Sequence, residues 1–150
     1  MRLITHILFS IMVLLALGMV LHVHLVLPIV ILALVNIMID SFGHSTYRGL
    51  RRTSMTHSPL SATIIGGVWG AVLYFLLPLF GVVAPLWFMA AGGIVAAWTH
   101  LLLDSMTYSG IYMMKKRVAI AHFRNGPIDI PFLITSIVLI LYFMGLIAGV

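Results

Sequence analysis

The stretch Leu3–Ile39, LITHILFSIMVLLALGMVLHVHLVLPIVILALVNIMI, is almost unbroken hydrocarbon. As a single helix rising about 1.5 Å per residue it would reach roughly 55 Å, against a bilayer core of about 30 Å, so it has to fold back. The polar interruption His22-Val23-His24, followed by Pro28, marks the turn and leaves two spans, near residues 3–21 and 25–39. The first run feeds directly into the second without a small-residue cleavage site, so an uncleaved anchor is expected rather than a signal peptide.

Working outward, residues 60–79 and 82–103 form two more apolar runs joined by a tight turn within Pro78–Pro85, and residues 130–147 form a last one. The sequence therefore predicts an all-α membrane protein, a single domain over residues 1–150 built as a bundle of five transmembrane helices. Composition agrees. With 63% hydrophobic and 7% charged residues and a mean hydropathy of +1.22, the chain cannot cover a soluble surface. Cytosolic enzymes and free nucleic-acid-binding domains are excluded on that ground, and no sequence-reading DNA motif is present. The 150 residues include no cysteine, which removes thiolate metal sites and leaves metal chemistry to His and Asp.

With five spans, the basic residues all fall on one side: Arg2 at the start, Arg48, Arg51 and Arg52 in the first large loop, and Lys115, Lys116, Arg117 and Arg124 in the second. The positive-inside rule makes that side cytoplasmic and the C-terminus external, and implies a plasma or inner membrane protein. Basic loops at that face would also attract anionic phospholipid headgroups, so membrane lipid is the expected partner.

The three aspartates, Asp40, Asp104 and Asp129, and the histidines His6, His44, His57, His100 and His122 map to the same side or to helix ends opening onto it. Ionisable groups at a membrane are costly unless partnered, and so mark functional sites. Asp40 and His44 are four residues apart at the end of the second span, on one face if the helix continues past Gly43. His100 and Asp104, also four apart, end the fourth span in a run that reads as helix. His and carboxylate ligands one turn apart are how helical bundles build metal sites, with zinc, manganese or iron suited to such donors. The plain alternative is a hydrogen-bonded His–Asp pair tying helices together.

Ser58 and Pro59 read as N-cap and first helical residue of the third span, which sets His57 at a helix N-terminus where an anion such as phosphate is favoured. Adjacent arginines, Arg52 among them, would complete an anion cradle. Residues 105–127 predict a small β-hairpin: Gly110-Ile-Tyr-Met-Met, a basic turn at Lys115-Lys116-Arg117, a returning strand towards His122 and Arg124, and a second turn at Asn125-Gly126. Such a flap would cover a site at the membrane surface with His122 and Arg124 facing it; a solvated basic loop lying on headgroups is the equal alternative. Asp129 is expected to cap the last helix, Gly66, Gly67, Gly70, Gly92 and Gly93 to allow close helix packing, and Trp98 to pack in the core.

The ordered set Thr5-His6, Asp40-x3-His44, Thr56-His57-Ser58 and His100-Leu-Leu-Leu-Asp104-x5-Gly110 resembles the membrane-bound metal-dependent hydrolase family often labelled YdjM, with Ala119-Ile-Ala-His122-Phe-Arg124 resembling its small archaeal relatives. The likeness runs from the N-terminus to about Pro127. It implies a divalent metal, zinc first, with His6, Asp40, His44, His57, His100 and Asp104 at ligand positions, and it suggests phosphoester hydrolysis. Where that family has Pro-Asp-x-Asp-His, this chain has a single acid in Met38-Ile39-Asp40-Ser41-Phe42-Gly43-His44, and Arg52-Thr53-Ser54 stands where His-Arg-Gly is common.

Two function classes follow. One is a membrane-embedded metal-dependent hydrolase acting on a lipid phosphoester, with Arg52, His122 and Arg124 assisting the reaction. The other is a non-catalytic membrane protein whose His/Asp cluster is a structural metal site or hydrogen-bond latch. A transporter or channel fits less well, because the polar residues gather at one interface rather than near the midplane.

Overall fold

A computed structural model describes residues 1–45, 51–113, 116–124 and 126–149. It is mostly helical, and five of its helical segments are long and apolar enough to cross a membrane: residues 3–20, 26–43, 59–80, 86–105 and 129–148. The expected spans are all present, with ends shifted by a few residues.

Helix α1 (Leu3–Val20) stops at the predicted turn. His22 takes a left-handed backbone (φ 54°), its amide bonds to the Met19 carbonyl at 3.3 Å, and the Val23 amide bonds to the Gly18 carbonyl at 2.8 Å. That pair of bonds is a Schellman ending, here with histidine at the position glycine usually takes.

The second span is two helices in line, α2 (Val26–Ala33) and α3 (Val35–Gly43), joined at Leu34. Three-residue hydrogen bonds, Leu34 to Ile31 at 3.1 Å and Ile37 to Leu34 at 3.0 Å, tighten the join. Helix α3 runs past the expected end at Ile39 to Gly43, and so carries Asp40 inside its last turn. His44 opens strand β1 (His44–Ser45), paired antiparallel with β2 (Arg51–Arg52), so Asp40 and His44 do not share a helix face.

Helix α4 (Pro59–Leu76) begins as expected, with the Ser58 hydroxyl accepting the Ser61 amide at 3.3 Å and Pro59 in the first turn. A 3-10 turn over Leu77–Phe80 and left-handed Gly81 lead to α5 (Leu86–Ser105). Helices α4 and α5 approach backbone to backbone. A methyl group at Gly66 would overlap the Gly93 carbonyl, and one at Gly70 the Met89 carbonyl. In lipid, where burial of apolar surface gives no driving force between helices, such close contact is what holds them.

The core lies where α1, α2, α4 and α5 meet, around Leu14, Leu15, Ile29, Leu32, Phe88 and Met89. Helix α6 (Asp129–Ala148) packs against α1, with Phe132 edge-on to Phe9 at 5.7 Å and the Asp129 carboxylate accepting the Arg2 amide at 3.0 Å. Its other oxygen accepts the Gly126 amide at 3.1 Å, so Asp129 fastens the turn before the helix as well as the start of α1. Trp98 departs from the expectation of core packing: it is 48% exposed, and its indole N–H donates to Thr63 Oγ1 at 2.9 Å, because that face of α5 points outward past α4.

The predicted hairpin forms with strands β3 (Ile111–Met113) and β4 (Lys116–Val118), shorter than the sequence suggested. After Val118 the chain turns back to the foot of α5, where the Ile120 amide bonds to the Ser105 carbonyl (2.7 Å) and the Phe123 amide to Met106 (3.1 Å). On its other side the Tyr112 amide donates to the His57 carbonyl at 2.8 Å. The hairpin and the chain that follows it are thus tied to His57, just before α4, and to the foot of α5.

Candidate metal centre

Five of the sequence-flagged residues converge at this end of the bundle. His6 comes from the first turns of α1, Asp40 from α3, His57 from the residue before the Ser58 cap of α4, and His100 and Asp104 from the end of α5. The three histidines and Asp104 are fully buried, and Asp40 keeps 23% of its side chain exposed. Asp104 is the hub. Its Oδ1 lies 3.3 Å from His6 Nε2, and its Oδ2 lies 3.4 Å from His57 Nε2 and 3.3 Å from His100 Nε2, the last across one helical turn. Asp40 Oδ1 completes the ring, 3.5 Å from His100 Nε2 and 4.0 Å from His57 Nε2.

The rings are held from behind. His100 Nδ1 lies 2.9 Å from Asn36 Oδ1, and the amide of Asn36 cannot be reversed, since its Nδ2 already donates to the Ala33 carbonyl at 2.7 Å and to Ser10 Oγ at 2.9 Å. Nδ1 of His100 therefore carries a proton and donates it to Asn36, which turns Nε2 towards the two carboxylates. What lies between that nitrogen and two carboxylate oxygens has to be positive, either a ring proton or a metal cation. His57 Nδ1 is held by Thr56 Oγ1 at 2.8 Å. Backing of this kind, a second hydrogen bond that fixes tautomer and ring orientation, accompanies metal-ligating histidines. The His6 and His100 rings stack with centroids 4.0 Å apart and planes 20° from parallel.

Asn36, Ser10 and Thr99 were missed by sequence reasoning. They form a buried polar chain joining three helices, with Ser10 Oγ donating to the His6 carbonyl at 2.8 Å and lying 2.6 Å from Thr99 Oγ1. The signal was available, for an asparagine one turn before Asp40 inside an apolar run needs a partner.

Gly43 is what lets α3 close on this site: a methyl group there would overlap Thr56 Oγ1 and His57 Cε1. Among the described residues, two groups of donor atoms, His6/His100/Asp104 and Asp40/His57/His100, each lie within 4.8 Å of one another and could hold a metal ion. The donors fit one. Ligands about 2.0–2.1 Å from a tetrahedral ion stand about 3.3–3.4 Å apart, and the carboxylate-to-imidazole separations in this cluster, 3.3–4.0 Å, are close to that.

The remaining expected site residues stand around this cluster. His44 and Arg52 face each other in the β1–β2 register by their backbones, and their side chains lie outside the described residues. His122 is exposed on the chain returning from the hairpin, its ring edge-on to Tyr108 at 5.6 Å, and Arg124 follows it, also exposed. Arg48 and Lys115 lie outside the described residues. Arg117 is a strut of the hairpin, donating to the carbonyls of Ser109 (2.5 Å) and Tyr108 (3.0 Å).

No curated protein and no solved structure matches the chain. One family does, over a stretch that takes in His6, Asp40, His57 and His100 and stops one residue short of Asp104: by the match to residues 1–103, the chain belongs to the family described as Protein of unknown function (DUF1286).

Proposed function

We propose that this chain is a membrane-embedded, metal-dependent hydrolase whose substrate is a lipid phosphoester, worked on at the cytoplasmic face. The observation that carries the reading is the meeting of five ionisable side chains from four separate segments at one end of an otherwise apolar bundle. Burying such groups is costly, and a cation among them offsets that cost. The neutral nitrogen and carboxylate donors suit Zn²⁺, with Mn²⁺ or Fe²⁺ as related choices. An ion held there supplies Lewis acidity, lowering the pKa of water towards about 7 and polarising a phosphoryl oxygen.

The protein's own residues supply the rest. With an ion held by His6, His100 and Asp104, Asp40 at the partly exposed edge of the cluster would accept a proton from an attacking water. Arg52 and Arg124 belong to the two segments flanking the cluster, where cations would hold the phosphate anion, and His122 is offered as proton donor to the leaving group. The basic loops next to the site favour an anionic lipid headgroup and, by the positive-inside rule, a cytoplasmic orientation. The likeness of the His/Asp set to the hydrolase family labelled YdjM supports the same reaction class.

The test is elemental analysis of detergent-purified protein beside His57→Ala and His100→Ala variants, followed by turnover of phospholipid phosphoesters. Metal and turnover in the native protein, both lost in the variants, is the expected result. Retained activity in both variants would sink the reading.

A second reading rests on the same distances, since 3.3–3.5 Å also lies within ion-pair range for an imidazolium and a carboxylate. In that case the cluster is a latch between helices. Folded, metal-free protein whose melting temperature is unchanged by a chelator would favour it.

A further inference from the structure

Helix α5 has 20 residues. At about 1.5 Å per residue it is about 30 Å long, the depth of a bilayer's hydrocarbon core, so a span that fills the core puts Ser105 and Met106 at the border between acyl chains and headgroups. The chain returning from the hairpin is pinned at that level. The Ile120 amide donates to the Ser105 carbonyl at 2.7 Å and the Phe123 amide to the Met106 carbonyl at 3.1 Å. Their side chains nevertheless turn away from the protein, Ile120 72% and Phe123 44% exposed. Lone apolar side chains are ordinary on a wet surface. These two are held by their backbones at the acyl-chain border, and exposed Lys116, Arg117 and Arg124 flank them. Tyr108, whose amide donates to the Phe123 carbonyl at 3.3 Å, adds an exposed ring of the kind that gathers at membrane interfaces.

We infer that residues 116–124 are an interfacial anchor for an anionic phospholipid leaflet, with Ile120 and Phe123 entering the acyl-chain border and Lys116, Arg117 and Arg124 lying on the headgroups. Charge complementarity selects the occupant. Apolar side chains set among cations are the pattern of surface segments that bind acidic lipid, because the apolar area leaves water while the bases draw anions. No acidic residue within 116–124 offsets those charges. A soluble protein partner would have to reach a surface already at the level of the lipid, whereas the bilayer is there from the outset. The anchor's backbone bond to Ser105 places it beside Asp104 in the chain. The inference rests on the five spans and on neither the metal nor the reaction, so it stands or falls apart from the hydrolase reading.

The chain contains no cysteine, so Ile120→Cys and Phe123→Cys each carry a single spin label in the full-length protein, reconstituted into phosphatidylcholine vesicles with and without phosphatidylglycerol. Electron paramagnetic resonance compares each label's collisions with oxygen, which concentrates in lipid, and with a water-soluble nickel complex. Val138→Cys, exposed on α6, gives the lipid reference. With phosphatidylglycerol present, both labels are expected to side with the reference, open to oxygen and shielded from nickel. Both are expected to shift towards water in phosphatidylcholine alone and in a Lys116→Gln/Arg124→Gln background. Nickel access equal to that of free label, with phosphatidylglycerol present, would overturn the anchor. Insertion indifferent both to phosphatidylglycerol and to the loss of the two charges would overturn the choice of an anionic leaflet. Labels immobilised and shielded from both reagents would show a protein contact, such as a second copy, and overturn the bilayer as occupant. The two labels are independent, so one that disturbs the chain leaves the other to decide.

Discussion

Asn36 Oδ1 and His100 Nδ1 meet at 2.9 Å, in a buried contact between α3 and α5 whose polarity is dictated by the Ala33 carbonyl behind the asparagine. The bond determines which nitrogen of His100 faces the carboxylates.

Replacing Asn36 with leucine keeps the volume and removes the acceptor. His100 then loses its orientation, and Zn²⁺ affinity is expected to fall about 10–100-fold, the usual effect of losing an outer partner of a metal-ligating histidine. Competition with a chromophoric chelator measures it, and unchanged affinity would show that Asn36 does not set the ring.

Gly43→Ala puts a methyl group into Thr56 and the His57 ring. Helical content by circular dichroism is expected to stay near native while metal content falls. Gly145→Ala in α6, where an added methyl group meets nothing within 4 Å, is the control and should leave both unchanged.

Gly110 sits at φ +58°, and a methyl group added there would overlap the Val118 carbonyl. Alanine there carries both a left-handed backbone cost, about 1–2 kcal/mol, and a steric one. Faster hydrogen exchange over residues 111–118, with the five spans still protected, is the expected outcome, and exchange at the native rate would contradict it.

His22 occupies a left-handed position at the end of α1, far along the helix from His6. His22→Gly relieves that conformation and should raise stability by up to about 1 kcal/mol, with metal content untouched. Loss of metal in this variant would place His22 in a role the fold does not give it.

Much of this was legible before any coordinates. Long apolar runs, the His22–His24 interruption and the Ser58-Pro59 start fixed the spans, because in lipid a backbone has few ways to satisfy itself other than helix. The residues His6, Asp40, His57, His100 and Asp104 stood out because charge is so scarce in this chain. What could not be read was how the second span breaks at Leu34 and then carries Asp40 one turn further, where Asn36 bonds locally to the Ala33 carbonyl and across to Ser10 of α1. The i,i+4 relation of Asp40 and His44 failed for a local reason, helix ending at Gly43, where only a residue without a side chain fits against His57. Trp98 was misjudged because apolar periodicity cannot separate a face turned to lipid from one turned to the core.

Asp104 touches His6, made near the start of the chain, and His57, made just before α4. Chains emerge N-terminus first, so during synthesis His6 and His57 are made before Asp104, and the carboxylate that joins them arrives only once α5 is made. Completion of the cluster is therefore a record that the first five helices have assembled in the right order, and metal uptake by a growing chain would mark the moment at which the bundle becomes a protein.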